Sequence, residues 1–323
     1  MNEKYHASDF LISSTELQIH PESKTILEQA KDKSLELGIY SETFYNGHHT
    51  MTPYIFTDTD IGRSITSTVW FSTLYFLDDF FGEDMRKDEE MPDFKLLFGI
   101  WMGMDHRIDD IPEQFSCLYK AISYCSHQIR VNSNYNFFKR YTEWLYHHML
   151  YTLNPVDYKT VDEYIESRIH FGGMYPTMGM IEYTNDVYLD PSLLSRFEPL
   201  KQAVQDCALI GVLSNDLISY HKEKHSEQNL LNAYLKTGTV NTLDEAIQKG
   251  IMYVNDCYIS FKKQSNLVRA KVAVFPAREK QIILTYLEGL ERLISASYHW
   301  QMSTNRYRST ENIFADLRQR IVG

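Results

Sequence analysis

Apolar residues recur along this chain at intervals of three and four, while alternating apolar and polar runs are few. That period puts one side of a helix against a core, so the pattern predicts helices nearly throughout. Long helices are expected over about 62–81, 113–130, 134–153, 161–184, 193–224, 243–264 and 278–303. Local signals support several starts. Pro21 opens a segment running to Leu37 and Gly38, Thr160–Glu163 and Thr242–Glu245 carry the capping-box pattern, and Asp190-Pro191 reads as an N-cap followed by a first-turn proline. Asn46-Gly47 falls in a loop-like stretch, and no linker, repeat or low-complexity tract interrupts the helical pattern. The expected architecture is all-α: one domain over residues 1–323, a bundle of long, roughly antiparallel helices with its interior between them.

Charge narrows the partners. The 323 residues include 43 acids against 32 Lys and Arg, a formal charge of -11. Such a chain is not expected to neutralise nucleic-acid phosphates over a broad face, so an anionic ligand must be met by a few placed cations or by metal. No run approaches the roughly 18 uncharged apolar residues of a membrane span, so no transmembrane segment is expected. The N-terminal residues lack a signal-peptide pattern, and the four cysteines show no CxxC spacing, so buried free thiols and a cytoplasmic location are expected. Aromatic residues, 23 Tyr, 17 Phe and 4 Trp, suggest an aromatic-lined interior.

Two clusters carry candidate chemistry. Phe76-Leu77-Asp78-Asp79-Phe80-Phe81-Gly82-Glu83-Asp84 ends an apolar helix in acids. Acids are unfavourable near a helix C-terminus and costly among apolar neighbours unless paired or bound to metal, and hard oxygen ligands suit Mg2+. In the second cluster, Asn215, Ser219 and Glu223 stand at i, i+4 and i+8 behind the apolar run Cys207–Leu213. Amide, hydroxyl and carboxylate oxygens therefore share one helix face. Gly172 and Gly173, with Pro176 close behind, are placed to break a helix.

In these motifs the sequence resembles the class I terpene synthases of microbial type, most closely their social-amoeba and fungal-type members. Asp78–Glu83 matches the family's aspartate-rich motif in its DDxxxE form, and Asn215–Glu223 matches its NDxxSxxxE triad. The resemblance covers essentially the whole chain and implies the helical isoprenoid-synthase bundle with a central active-site cavity. It also implies roles. Asp78 and Glu83 would bind two Mg2+ ions, and Asn215, Ser219 and Glu223 a third. Arg168, 47 residues before Asn215, matches the diphosphate-sensing arginine, with Asp79 orienting it. Phe171 and Gly172 resemble the linker and effector positions, Lys222 matches a diphosphate-contacting lysine, and Arg306-Tyr307 resembles a pair that reaches the diphosphate on closure. Phe71 and Tyr75, which share the face of Asp78, and Trp300 from the last helix are candidates for the cavity wall.

The implied function is Mg2+-dependent ionisation of a linear prenyl diphosphate, farnesyl diphosphate by resemblance, with cyclisation to a sesquiterpene and release of diphosphate. The prenyl diphosphate is the expected partner, with a homodimer as an open option. Competing readings are a chain-elongating prenyl diphosphate synthase, disfavoured because its second aspartate-rich motif is replaced by the triad, and a non-catalytic helical interaction protein. Asp58-Thr59-Asp60-Ile61 lacks the last acid of a DxDD motif, and the His221/His225 pair lacks the glutamate position of a zinc hydrolase.

Overall fold

The periodicity becomes helix in the computed structural model, which describes residues 4–12, 17–40, 42, 51–81, 94–104, 111 and 113–318, side chains at 78–81 and 114 excepted. In chain order the helices are α1 (Ser23–Leu37), α2 (Thr52–Ile55), α3 (Ile61–Phe81), α4 (Phe94–Trp101), α5 (Ser116–Val131), α6 (Tyr135–Leu153) and α7 (Val161–Phe171). They continue as α8 (Met174–Asn185), α9 (Leu193–Arg196), α10 (Glu198–Glu223), α11 (Leu230–Lys236), α12 (Leu243–Lys271) and α13 (Ala277–Ser303). Short 3-10 turns follow at Asn305–Tyr307 and Ala315–Leu317, and the described residues contain no strand. No helix among them is long and apolar enough to cross a membrane.

Several boundaries differ from the sequence expectation for local reasons. The helix expected over 161–184 is two helices, divided at the glycine pair already placed to break it: Gly172 caps α7 and Gly173 turns to φ 71, the left-handed region open to glycine. The helix expected from 193 to 224 is interrupted at Phe197, whose φ of -122 and ψ of 78 leave the helical region. Asp190-Pro191 does not start it; α9 begins after Ser192, with no side-chain cap. Thr160 and Glu163 make both halves of their capping box, whereas Glu245 turns its carboxylate to Asn241 N (2.8 Å) and leaves Thr242 only its own half. Helices α2, α4 and α11 lie outside the expected set, being too short to show a clear period in the sequence.

The chain folds into two compact units. One comprises Gln18–Asn154 and Tyr175–Pro191. In it α3 packs against α1, α5 and α6. Five hydroxyls of α3, from Thr66, Ser67, Thr68, Ser72 and Thr73, donate to carbonyls four residues earlier, which satisfies polar groups on a buried helix surface. The Trp70 and Trp101 rings lie 5.1 Å apart and donate to Tyr141 and Thr142 of α6. Fully buried Glu182 binds Arg140 and accepts from Leu189 N at 2.8 Å.

The other unit comprises Met1–Leu17, Pro155–Met174 and Ser192–Gly323. Its spine is α10, against which α7, α11, α12 and α13 pack. The close approach of α7 depends on a missing side chain: a Cβ at Gly172 would lie 2.2 Å from Val212 Cγ1 of α10. The C-terminal tail lies along α10 through Asn312, fully buried, which donates to Ile218 O at 3.3 Å. The N-terminal stretch in turn holds the tail. Ala315 N donates to Tyr5 O (2.8 Å), Ala7 N to Asp316 (2.9 Å), and Phe10 packs on Tyr298 and Phe314.

Gly172→Ala forces Val212 aside, so it is expected to destabilise the chain by about 1–3 kcal/mol, the range for overpacked sites. A urea unfolding midpoint equal to that of the unsubstituted chain would show that α7 and α10 accommodate the methyl group.

Candidate active site

Asn215, Ser219 and Glu223 occupy successive turns of α10, as their spacing predicts. Asn215 and Glu223 are half-buried, and Ser219 is fully buried. Ser219 Oγ makes no hydrogen bond among the described residues, an expensive condition for a buried hydroxyl unless something else engages it. Glu223 Oε2 accepts from Asn229 Nδ2 at 3.0 Å, and Asn215 Nδ2 donates to the Tyr307 hydroxyl at 2.8 Å. The Asn215 amide is thereby oriented with its nitrogen committed, and among the described residues its oxygen accepts only a long bond from Arg168 Nη2 at 3.4 Å. An orphaned hydroxyl beside an amide oxygen and a carboxylate is a hard, all-oxygen donor set, and it fits a small divalent cation. Among the described residues there is no group of three His, Cys, Asp or Glu side chains that could hold a metal ion.

Between two of these ligands in sequence, Asp216 points the other way, into the interior. It is fully buried, and its carboxylate accepts from Arg168 Nε (2.8 Å), the Tyr164 hydroxyl (2.5 Å) and Leu230 N (3.0 Å). Burial pushes the Asp216 carboxyl up to about 6 against the pull of Arg168. Burial pulls the Arg168 guanidinium down, but the negative charges of Asp216 and Glu223 outweigh it and raise its pKa above the ordinary value. The guanidinium lies over the Phe171 ring at 4.6 Å, a cation–π contact that fixes its plane. α7 therefore delivers both Arg168 and the aromatic residue beneath it before breaking at Gly172.

The tail supplies the remaining groups of this unit. Tyr307 is buried, meets the edge of Trp300 at 5.6 Å, and has its hydroxyl pushed up by burial. Arg306 is half-buried beside it, and Lys222 is exposed near the end of α10. Asn312 ties the tail down by also donating to Tyr307 O at 2.8 Å and meeting His221 Nδ1 at 3.3 Å. Arg168, Asn215, Glu223 and Tyr307 are thus brought into one network with three residues the motifs left without a role: Tyr164, Asp216 and Asn229. A signal existed for Asp216, since an acid inside an apolar helical run requires a partner.

Other expected positions lie elsewhere. Phe71 and Tyr75 belong to the other unit, where Phe71 packs edge-on against Phe56 at 6.0 Å and Tyr75 is half-buried. The side chains of Asp78 and Asp79, at the end of α3, and the whole of Glu83 are outside the described residues. Among the described residues, the carboxylate that pairs with Arg168 is that of Asp216. Cys125, Cys207 and Cys257 are buried free thiols as expected, and Cys117 is only half-buried.

Comparison with known proteins agrees with this geometry. The model of the family described as terpene synthase family 2, C-terminal metal binding, matches residues 69–259, more than half of the chain. The chain belongs to the terpene synthase family. Among curated terpene synthases it is similar to (+)-T-muurolol synthase of Streptomyces clavuligerus, 28% identical over 152 residues that cover 46% of this chain and 34% of the relative. It is also similar to terpene synthase 1 of Tieghemostelium lacteum, 31% identical over 156 residues that cover 46% of this chain and 41% of that one. The matched stretch thus spans less than half the length of these curated relatives. Among solved structures, germacradien-4-ol synthase from Streptomyces citricolor superposes with a TM-score of 0.76 at 14% identity, covering 93% of this chain and 99% of that one. That likeness establishes the class I isoprenoid-synthase fold. Bacterial, fungal and social-amoeba relatives together mark this terpene synthase as microbial in type.

Asp216→Ala leaves Arg168 buried without its counter-charge, which is expected to cost about 3–5 kcal/mol. Tyr164→Phe removes one hydrogen bond to the same carboxylate and should cost about 1.5–3 kcal/mol. Denaturant unfolding of both variants checks the ranking, and an Asp216→Ala chain as stable as the parent would remove the ion pair from the fold's foundations.

Proposed function

We propose that this chain is an Mg2+-dependent class I cyclase that ionises a linear prenyl diphosphate, farnesyl diphosphate in preference to shorter or longer chains, and closes the carbocation to a sesquiterpene. The observation that carries the proposal is the orphaned Ser219 hydroxyl between Asn215 and Glu223, with the buried Arg168 guanidinium bound to the intervening Asp216. The farnesyl preference is supported by the description of the T-muurolol synthase relative as cyclising farnesyl diphosphate. One catalytic α-domain spanning residues 1–323, in which Asp78 and Glu83 supply the remaining metal ligands to make three ions in all, completes the reading.

Bound divalent ions would neutralise charge on the diphosphate and make it a better leaving group. The chain's own residues do the rest. The allylic C–O bond breaks with its electron pair going to the diphosphate. Arg168 meets the anion as a planar fork whose Nε is already anchored by Asp216, so little freedom is lost on binding. The Tyr307 hydroxyl accepts from Asn215, which leaves its own hydrogen to donate to a diphosphate oxygen. Arg306 and Lys222 add charge at the rim. Gly172, where α7 breaks, is proposed to aim its carbonyl at the substrate, and Asp79 is proposed to take part in orienting the sensor. Phe71, Tyr75, Phe171 and Trp300 are proposed to face the carbocation, for which aromatic rings offer attraction without a nucleophile.

Incubation with geranyl, farnesyl and geranylgeranyl diphosphate and Mg2+, followed by gas chromatography with mass detection, is expected to give cyclic sesquiterpenes from farnesyl diphosphate. Asp78→Ala and Asn215→Ala should each abolish product while retaining the helical spectrum, and full activity in either would overturn the metal assignment. A product longer than its substrate in the presence of isopentenyl diphosphate would instead identify a chain-elongating synthase.

Arg168→Lys should lower turnover by at least about tenfold, because an ammonium ion cannot reproduce the anchored fork. Wild-type rates with lysine there would reduce Arg168 to a structural ion-pair partner.

A further inference from the structure

The loop between α10 and α11 carries a side chain that no motif singled out. Asn229 is fully buried, and every hydrogen-bonding direction of its amide but one is occupied. Its Oδ1 accepts from Leu231 N at 3.0 Å and caps α11. Its Nδ2 donates twice to α10, to Asp216 O at 2.8 Å and to Glu223 Oε2 at 3.0 Å. Capping uses only an oxygen, which serine or aspartate supplies equally well. The amide nitrogen is therefore the part of Asn229 that capping does not explain.

We infer that Asn229 is a positioning residue for metal binding: its amide occupies Glu223 Oε2 and fixes that side chain, so that Oε1, which makes no hydrogen bond among the described residues, is presented to the cation. The inference rests on the reading of Asn215, Ser219 and Glu223 as a metal site. The second Nδ2 bond, together with Leu230 N on Asp216 Oδ2 at 3.0 Å, locks the same loop to the helical turn that holds Arg168. One short segment thus indexes a metal ligand and the sensor's counter-charge together. A glutamate left to sample its rotamers would bind the same cation more weakly, since it loses side-chain entropy on binding.

The test is Mn2+ binding to the full chain in the presence of inorganic diphosphate, read from the electron paramagnetic resonance signal of free Mn2+. Unfolding midpoints are measured alongside. Asn229→Ser keeps a capping hydroxyl but cannot reach Glu223, and Asn229→Asp keeps the cap while turning an oxygen toward Glu223 and the Asp216 carbonyl. Both are expected to weaken Mn2+ binding by about tenfold or more, the effect of losing a partner that orients a ligand, with the aspartate variant worse. In a Glu223→Gln background, Asn229→Ser should add little further loss. Unaltered Mn2+ affinity in a folded Asn229 variant, or an equal loss in the presence and absence of the Glu223 carboxylate, would reduce Asn229 to a helix cap. Should the serine variant fail to fold, the isosteric aspartate variant decides the same comparison. Ser219→Ala separates the two levels. If it leaves Mn2+ binding intact, the metal reading itself falls. If it abolishes binding while Asn229 variants bind normally, only the positioning role falls.

Discussion

A guanidinium and a carboxylate withdrawn from water cost several kcal/mol each, and the Arg168–Asp216 pair returns that cost only if every remaining lone pair on the carboxylate is met. The donors come from two helices and the acceptor from a third. Arg168 and Tyr164 arrive on α7, Asp216 itself sits in the middle of α10, and Leu230 N opens α11. The three helices must therefore converge on one carboxylate, and any slip that breaks a bond leaves charge stranded in the interior. Gly172 permits the convergence by letting α7 lie against Val212 with no side chain between them.

Adjacent residues of α10 are thereby given opposite tasks. Asn215 and Asp216 point about 100° apart on the helix, so the oxygens of Asn215, Ser219 and Glu223 share one side while the neighbouring carboxylate turns to another and holds Arg168. The stiff pair braces the helix, and the three oxygen-bearing side chains gain fixed positions at little further cost in entropy. The tail extends the same logic. Tyr307 is buried on Asn215, and Asn312 fastens the tail to the α10 backbone. The N-terminal stretch pairs with residues 314–317 behind it, so the two ends of the chain support a group at the site.

The relation to other terpene synthases shows how little side-chain identity this architecture needs. At 14% identity to germacradien-4-ol synthase the backbone still superposes over most of both chains. Apolar periodicity and helix-breaking positions suffice for such a bundle, because interiors accept many apolar residues of suitable volume. The groups that cannot be exchanged so freely are the few polar ones whose partners are specific, as on α10.

Helix type along the chain, the break at Gly172-Gly173 and the shared helix position of Asn215, Ser219 and Glu223 follow from the sequence by itself, because each depends on spacing within one helix or on the conformational freedom of glycine. The full capping box at Thr160 is equally local. The starts of α9 and α10, and helices α4 and α11, were not legible, since short segments take their shape from what they pack against. Above all, the sequence named carboxylates and a guanidinium without saying which would meet. Arg168 finds Asp216 across 48 residues of chain, Tyr307 finds Asn215 across 92, and Asn229 folds back on Glu223 from a loop with no motif. Only tertiary structure decides such pairings, because a buried charge selects its partner by proximity in space, where the whole path of the backbone is felt at once.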